Sequence, residues 1–294
     1  MSEVRRLVVI GTGLIGGSVA AAARAADFAE RVVGVDADPA ALEAGVAAGL
    51  LDATGLPEDL GPDDLVVLAV PTLAVPQALA ELVDEAGVLA GGAVVTDTAS
   101  VKGSVVAALR SLPPDARARF VPGHPIAGSE RSGVGAARAD LFRDHRVLLT
   151  PEPDTAPAAL ARVEALWRAA GAEVLRMDVA EHDRILAMTS HLPHLLAFAL
   201  VDTLGAQREH EEIFRHAAGG FRDFTRIASS DPVMWRDVFA ANGPAVLAIL
   251  DRFVEDLGRL RAQLEADDRA ALHETFTRAK ALRDAHVGTG SGRA

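Results

Sequence analysis

Three glycines, spaced as Gly11-x-Gly13-x-x-Gly16, stand between an apolar β-rich run and an alanine-rich helical pattern. In this context the first glycine permits a tight turn, the second lets a pyrophosphate approach the backbone, and the third lets the helix pack closely. The helix N-terminus at Leu14 and Ile15 then presents free N–H groups and its positive dipole end. The pattern predicts a dinucleotide site, and a purely structural glycine turn is the alternative.

A carboxylate follows the second apolar run at Asp36, 20 residues beyond the last glycine of that turn. A carboxylate at this place accepts hydrogen bonds from the adenosine ribose hydroxyls and repels a 2′-phosphate. No arginine or lysine occurs between Arg31 and Lys102 to attract such a phosphate. The sequence therefore predicts NAD rather than NADP as cofactor, with Val70 and Thr98 completing the site.

The segment Thr96–Lys102 directly follows another apolar run. Ligands bind beyond the carboxyl ends of strands in open α/β sheets, so Ser100 is placed to reach the nicotinamide or a substrate. The alternative is that Asp97 and Ser100 only cap the helix that follows. Both interpretations stay open on the segment alone.

A histidine lies in the glycine- and proline-rich segment 123–130, after the short β-like run 119–122. The imidazole of His124 is well placed there to accept a proton. Its ordinary pKa of about 6.5 suits removal of a hydroxyl proton while hydride leaves the same carbon. A lone histidine is more often structural, but beside a dinucleotide turn we predict a catalytic base.

Two further imidazoles, His191 and His194, lie three residues apart in the segment 190–194, on one face of a helix. No third metal ligand accompanies them, and the chain has no cysteine. We therefore predict no metal and favour binding of an anionic substrate.

The polar segment Gly219–Ala228 is broken by glycines and is expected to lie between helices. Its two arginines, Arg222 and Arg226, could hold a carboxylate bidentately. One of the two is expected to be structural, paired with Asp223 or Asp231.

The elements that must position these side chains follow from the apolar runs. Continuous apolar runs alternate with helical patterns, which predicts strands buried on both faces of a mainly parallel sheet. The runs are 7–10, 32–35, 65–70, 93–95 and 147–149, and the helical patterns between them include 39–48 and 73–86. A Rossmann-type, doubly wound α/β fold follows.

Beyond that sheet the pattern becomes helical. A helix over 158–170 and one more strand over 173–177 extend the first domain past the proline-rich segment 150–157. From residue 181 onward amphipathic helical patterns predominate. We predict a nucleotide-binding domain over 1–178, an all-α domain over 179–287 and a disordered tail over 288–294.

The composition narrows the class of partner. A formal net charge of -12 argues against nucleic acid or an anionic membrane, and favours a small-molecule substrate held by local arginines and histidines. The first β-rich run begins at about Arg5, so we expect no signal peptide. No apolar stretch is expected to approach the ~18 residues of a spanning helix. We expect a cytoplasmic protein.

Taken together, the motifs resemble those of the prephenate/arogenate dehydrogenase family of tyrosine biosynthesis. The resemblance covers nearly the whole chain, and each block is weak alone, but five in the family's order are specific. The blocks are Gly13–Ser18, Asp97-x-x-Ser100-Val-Lys102, Gly123–Gly128, Ser190–His194 and Phe221–Ala228.

This resemblance implies NAD-dependent oxidative decarboxylation of prephenate to 4-hydroxyphenylpyruvate. It implies that His124 accepts the hydroxyl proton, that Ser100 orients that hydroxyl, and that Arg226 binds a substrate carboxylate. It also implies a homodimer through the helical domain, which would bury the apolar faces of residues 246–264. The other substrate-binding residues that it implies are Glu130, His191, His194, Gly219 and Trp235.

Three alternatives remain. Arogenate, or a 4-amino analogue, could be the substrate on the same mechanism. A 3-hydroxy acid dehydrogenase would share the two-domain plan, but those enzymes resemble one another in using a lysine of the helical domain, and the only lysine here beyond Lys102 is Lys280. A non-catalytic NAD-sensing module would need the glycine turn but not His124, Ser100 and Arg226 together.

Overall fold

The computed structural model describes residues 2–84, 91–129 and 131–286. Two compact units divide the chain, Met1–Val246 and Leu247–Ala294. The predicted tail over 288–294 lies outside the described residues.

A six-stranded, all-parallel sheet forms the centre of the first unit. Its order places the first strand between the second and the fourth, which is the order of dinucleotide-binding sheets. The chain reverses direction across the sheet at this point, so the crevice beyond these strand ends is the expected ligand site. In spatial order the strands are β3 (Ala53–Thr54), β2 (Ala29–Val35), β1 (Val4–Ile10), β4 (Asp64–Leu68), β5 (Val94–Asp97) and β6 (Phe120–Val121).

Apolar side chains cover both faces of this sheet, as the continuous apolar runs predict. Within β1, Leu7 and Val9 join one buried cluster and Val8 joins the other. Helices pack on both faces of the sheet and shield them from solvent. Polar and apolar residues therefore do not alternate along its strands. The helices are α1 (Leu14–Ala25), α2 (Pro39–Ala47), α3 (Val75–Asp84), α4 (Lys102–Leu109), α5 (Pro114–Ala118) and α6 (Pro157–Ala169).

A second, three-stranded sheet is made of β7 (Gly123–Pro125), β8 (Arg146–Leu149) and β9 (Glu173–Arg176). The pairing of β7 with β8 is antiparallel, and β8 with β9 is parallel. The sequence placed Gly123–Pro125 in a glycine- and proline-rich loop and did not predict β7 as a strand. It predicted β8 and β9 as strands but assigned them to the main sheet. That assignment was wrong because a short apolar run records burial and not which sheet it joins.

Helices make up the described chain from Val179 onward, which confirms the predicted change of pattern. The segment Gly219–Ala228, expected to be an irregular connection, is instead helical: α10 (Gly219–Thr225) is followed by a 3-10 turn, Arg226–Ser229. The helices are α7 (Val179–Leu186), a π-helical segment (Ala187–His191), α8 (Leu192–Gly205), α9 (His210–Arg215), α10 (Gly219–Thr225), α11 (Pro232–Ala241), α12 (Gly243–Glu265) and α13 (Arg269–His286).

One helical run, Val179–Gly205, is long and apolar enough to span a membrane by length and composition alone. It has 27 residues, and its most apolar 18-residue window has a mean hydropathy of 1.4. The expectation that no stretch approaches this length was therefore wrong. α11 and α12 pass the same test only if they are counted together as one bent span. Composition is weak evidence here, because core helices of globular proteins also pass, and this run contains the buried His182 and His191.

Candidate active site

The glycine turn lies between β1 and α1, and its three glycines are required for different reasons. Gly11 has φ of +91°, and a Cβ there would lie 2.4 Å from the carbonyl oxygen of Ala69. A Cβ at Gly16 would lie 1.8 Å from the carbonyl oxygen of Gly11. At Gly13, by contrast, no atom of the described residues lies within 4 Å of the Cβ position. The backbone at Gly13 therefore faces open space at the N-terminus of α1, where a phosphate can approach.

Asp36 follows the end of β2 and adjoins this turn. Its Oδ2 accepts hydrogen bonds from the backbone N–H of Thr12 at 2.6 Å and from the Thr12 hydroxyl at 2.9 Å. Its Oδ1 accepts from the Asp38 N–H at 2.9 Å. Burial raises the pKa of Asp36, but these donors outweigh it and lower that pKa. The side chain is thus an ionised carboxylate beside the glycine turn.

The other residues predicted to bind the dinucleotide share this edge of the sheet. Val70 follows the end of β4, and Thr98 follows β5, with its N–H donating to the Leu68 carbonyl at 3.0 Å. Leu14 and Ile15 open α1 and pack half-buried against the core. The structure therefore brings the predicted residues to the carboxyl edge of neighbouring strands.

A buried ion pair supports the segment that carries His124. Lys102 and Asp97 have no exposed side-chain surface, and Lys102 Nζ donates to the Asp97 carboxylate. Lys102 Nζ also donates to the Gly123 carbonyl oxygen at 2.5 Å, and Asp97 Oδ1 accepts from the Gly123 N–H at 3.1 Å. Both backbone groups of Gly123 are thereby held at the end of β5, next to His124.

The predicted capping of α4 by Asp97 or Ser100 is not what the structure shows. The cap residue is Val101, which makes no side-chain cap. The N–H groups of Lys102 and Gly103 instead donate to the two carboxylate oxygens of Asp183, at 2.8 Å each. Ser100 lies half-buried in the loop between β5 and α4. It is left free of the capping role that was its alternative interpretation.

His124 contacts a second histidine that the sequence did not single out. His124 Nδ1 lies 3.0 Å from His182 Nε2, and the two rings meet edge to face with centroids 5.1 Å apart. His182 Nδ1 lies 2.8 Å from Asp183 Oδ1. A continuous hydrogen-bonded row therefore joins Asp183, His182 and His124.

Burial dominates the protonation of this row. It lowers the pKa of His124 well below 6.5, and the neighbouring cation of Lys102 lowers it further. Burial also lowers the pKa of His182, although the hydrogen bond with Asp183 opposes this. Burial raises the pKa of Asp183, but hydrogen bonds from His182 and the start of α4 outweigh it and lower that pKa. At neutral pH the row is two neutral imidazoles and a carboxylate.

The other predicted histidines gather around Trp235. His194 stacks on the indole, with ring centroids 3.7 Å apart and planes at 24°, and His191 meets it edge-on at 6.0 Å. Asn242 Nδ2 lies 3.1 Å from His191 Nδ1 and donates to the Asp183 carbonyl oxygen at 2.9 Å. Asp183 thus links this cluster to the row that ends at His124. Burial lowers the pKa of His191 to about 4.

The remaining predicted residues lie near this cluster or outside the described chain. Burial lowers the pKa of His194, the Ser190 carbonyl raises it, and the charge of Arg226 lowers it, so Arg226 acts on His194 electrostatically. Gly219 is the exposed first residue of α10. Asp231, offered as an arginine partner, caps α11 by accepting from the Val233 N–H at 2.7 Å. Glu130 lies outside the described residues.

Groups of three or more metal-binding side chains do not occur in the part of the chain that the structure describes. The rings of His191 and His194 both contact Trp235. His194 Nδ1 also lies within hydrogen-bond distance of the Ser190 carbonyl oxygen.

A parallel sheet in this order, with a glycine turn that leaves Gly13 open, accommodates a dinucleotide at the switch point. Beyond the same edge lies the buried neutral imidazole of His124, a group that can accept a proton. Fold and site together define a dehydrogenase that transfers hydride to a nicotinamide dinucleotide.

Comparison with known proteins narrows this class. Residues 19–176 match the model of the prephenate dehydrogenase nucleotide-binding domain, and residues 178–278 match the model of the prephenate dehydrogenase dimerization domain. The chain belongs to the prephenate dehydrogenase family.

Individual relatives agree with this assignment. The chain is 35% identical to a cyclohexadienyl dehydrogenase of Zymomonas mobilis over 287 residues, which covers 96% of each chain. The structure of a prephenate dehydrogenase from A. aeolicus with hydroxyphenyl propionate and NAD+ superposes with a TM-score of 0.86 at 35% identity, covering 95% of this chain and 97% of that one. An arogenate dehydrogenase of Synechocystis superposes with a TM-score of 0.77 at 26% identity, covering 96% and 99%.

Proposed function

We propose that the protein catalyses the NAD-dependent oxidative decarboxylation of prephenate to 4-hydroxyphenylpyruvate. The observation that carries this proposal is the buried, neutral His124 near the end of β5, in the sheet that also carries the dinucleotide turn, on a chain of the prephenate dehydrogenase family. The A. aeolicus relative in complex with NAD+ and a hydroxyphenyl compound supports the same pairing of cofactor and ligand.

The residues at the glycine turn fit NAD. The open backbone at Gly13 and the N-terminus of α1 would receive the pyrophosphate, and Asp36 would accept hydrogen bonds from the ribose hydroxyls. Leu14, Ile15, Val70 and Thr98 would complete the contacts along the sheet edge. When bound, NAD takes the hydride from the ring carbinol carbon.

His124 would act first as a base and then as an acid. It accepts the hydroxyl proton as hydride leaves and the C=O bond forms, with Ser100 orienting that hydroxyl. Loss of the ring carboxylate as CO₂ returns an electron pair to the ring. The ring becomes aromatic, and its oxygen takes the proton back as a phenol. His124 therefore takes one proton from the substrate and gives it back to the product, with no net proton transfer. The protein mainly has to position the substrate and provide this proton acceptor.

The cluster around Trp235 would bind the substrate's anionic groups. Arg226 would hold a carboxylate, while His191 and His194 line the pocket with Gly219 nearby. The buried indole N–H of Trp235 has no hydrogen-bond partner within the described residues and is available to a ligand oxygen. Glu130, assigned to this pocket from the family resemblance, would face the substrate side chain.

Arogenate is the second candidate, because it differs from prephenate only in carrying an ammonium group where prephenate has a keto group. The fold match to the Synechocystis arogenate dehydrogenase favours testing it beside prephenate. Steady-state rates of dinucleotide reduction with each compound, each with NAD and with NADP, decide between them. We expect the highest kcat/KM for prephenate with NAD. Higher kcat/KM for arogenate selects the alternative. No turnover of either, with turnover of a 3-hydroxy acid, overturns both.

Assembly as a homodimer belongs to the same proposal. Residues 178–278 match a dimerization domain, and the second unit exposes Leu247, Val254, Leu257 and Leu264 on α12. We propose that a second copy of the chain covers this apolar stretch. We also propose that the nucleotide-binding domain spans 1–178 and the helical domain 179–287. The enzyme is proposed to be cytoplasmic. Light scattering of the purified protein should give twice the mass of 30.6 kDa.

A further inference from the structure

We propose that Asp183 and His182 are positioning residues that fix the tautomer of His124, so that Nδ1 donates to His182 and Nε2 faces the substrate as the proton acceptor. The proposal rests on the proposed role of His124 as the base. It extends that role to two residues that make no direct contribution to the chemistry.

The first step concerns Asp183, which receives three hydrogen bonds. The N–H groups of Lys102 and Gly103 at the start of α4 donate to it at 2.8 Å each, and His182 Nδ1 lies 2.8 Å from its Oδ1. These contacts hold Asp183 ionised. An ionised carboxylate only accepts hydrogen bonds, so His182 Nδ1 must carry a proton.

The second step concerns the contact between the imidazoles. In a neutral ring with a proton on Nδ1, Nε2 carries a lone pair. His182 Nε2 therefore accepts, and the atom 3.0 Å from it, His124 Nδ1, must be the donor. Because neutral His124 has one ring proton, its Nε2 keeps a lone pair and is free to take a proton from a ligand.

In the opposite arrangement, His182 Nε2 would donate to His124 Nδ1. His182 would then carry a proton on both ring nitrogens and would be positively charged. Its ring has no exposed surface, and this burial, together with the cation of Lys102, lowers its pKa despite the hydrogen bond with Asp183. Lys102 is itself paired with Asp97 and held in place. An imidazolium at His182 in the resting enzyme is therefore disfavoured.

The row also accounts for what happens when His124 is protonated. The imidazolium then donates from Nδ1 to His182, which in turn donates to the carboxylate of Asp183. The positive charge is stabilised through one intervening ring without transfer of a second proton. An orienting carboxylate plays this part directly in serine protease triads, and here a histidine is interposed.

The backbone at α4 allows this arrangement. A Cβ at Gly103 would lie 2.7 Å from Asp183 Oδ2, closer than side chains tolerate. Gly103→Ala therefore displaces Asp183 without changing either histidine. It gives a second way to disturb the row.

The experiment compares His182→Leu, which removes the acceptor, with His182→Gln, whose amide oxygen can accept from His124. The exposed His145→Gln is the matched control. We expect kcat to fall about tenfold or more in His182→Leu, within the roughly 10²–10⁴-fold that a positioned base contributes. NAD affinity should stay unchanged, with partial recovery in His182→Gln and a fall in Gly103→Ala. Values of kcat within about twofold of wild type in His182→Leu, or equal losses in both His182 variants, overturn the proposal.

A second measurement does not depend on turnover. Long-range ¹H–¹⁵N correlation spectra of ¹⁵N-histidine enzyme distinguish protonated from bare ring nitrogens, and signals lost in His124→Asn identify His124. A proton on Nδ1 in the wild type, lost or mobile in His182→Leu, supports the row, and a proton on Nε2 overturns it. If the wild type turns over neither prephenate nor arogenate, the proposed function fails, and the spectra still decide the tautomer.

Discussion

Lys102 and Asp97 form an ion pair in which neither side chain has any exposed surface. Each partner also holds one backbone group of Gly123. The ion pair therefore fixes Gly123, the residue before His124, at the end of β5. Such a pair costs desolvation free energy, so removal of one partner is far more damaging than removal of both.

Replacement of Lys102 by Met should destabilise the fold by about 3–5 kcal/mol, because the carboxylate of Asp97 is left buried without its partner. The double variant Asp97→Asn with Lys102→Met should recover part of this loss. Urea unfolding monitored by circular dichroism measures both. The exposed pair of Lys280 with Asp284 is the control, and Lys280→Met should cost less than about 1 kcal/mol. Equal effects at the two lysines would contradict this account.

Replacement of His124 by Asn should lower kcat by about 10² or more, because the proton acceptor is lost while the glycine turn is untouched. Binding of NAD, followed by fluorescence quenching, should not change. Turnover at the wild-type rate would remove His124 from the base role.

Replacement of Arg226 by Ala should mainly raise KM for the cyclohexadiene substrate, since it removes a charge-assisted contact with a carboxylate. Arg222→Ala, four residues earlier on the same helical segment, is the matched control and should leave KM near the wild-type value. Steady-state kinetics at saturating NAD measure both. An unchanged KM in Arg226→Ala would place the carboxylate site elsewhere.

Replacement of Asp36 by Ser should reduce the preference for NAD over NADP, because the carboxylate that repels a 2′-phosphate is gone. The ratio of kcat/KM for the two dinucleotides at fixed substrate is the measurement. A wild-type enzyme that already prefers NADP would contradict the role assigned to Asp36.

Acid should weaken the fold between pH 6.5 and about 4. Burial lowers the pKa of His191 from 6.5 to about 4, so the unfolded chain binds a proton in this window that the folded chain does not. The contribution of His191 to the free energy of unfolding is therefore fully present above pH 6.5. It falls by roughly 3 kcal/mol as the pH drops through this window. His124 and His182 act in the same direction. Urea midpoints at pH 7.5 and 5 test this, and His191→Asn should show a smaller difference.

The sequence was sufficient to predict those features that depend on residues adjacent along the chain. The glycine turn and Asp36 each follow a strand directly, and His124 comes shortly after the apolar run 119–122, so each could be recognised from a local pattern. Five of the six strands of the main sheet were found for the same reason, and the two-residue strand β3 was not predicted. Membership of β8 and β9 in a second sheet was missed, because pairing partners are not encoded in a run's own composition.

The residues that support the site were missed because their contacts are distant in sequence. Lys102 and Asp183 are 81 residues apart, and Asn242 and Asp183 are 59 apart. His182 and Asp183 lie in an amphipathic helix where charged residues usually face solvent. The one available signal was Lys102 itself, a lysine just after an apolar strand, for which the sequence pattern predicted no role.

The π-helical segment Ala187–His191 ends at His191 and lies between His182 and His194 within one continuous helical run. Such a segment amounts to one residue inserted into an α-helix. Each residue of an α-helix turns the chain by about 100°. Loss of a single residue between Ala187 and Ser190 would therefore rotate the two later histidines by about that angle relative to His182. The length of this short stretch, more than the identity of any side chain in it, sets the direction in which both imidazoles face.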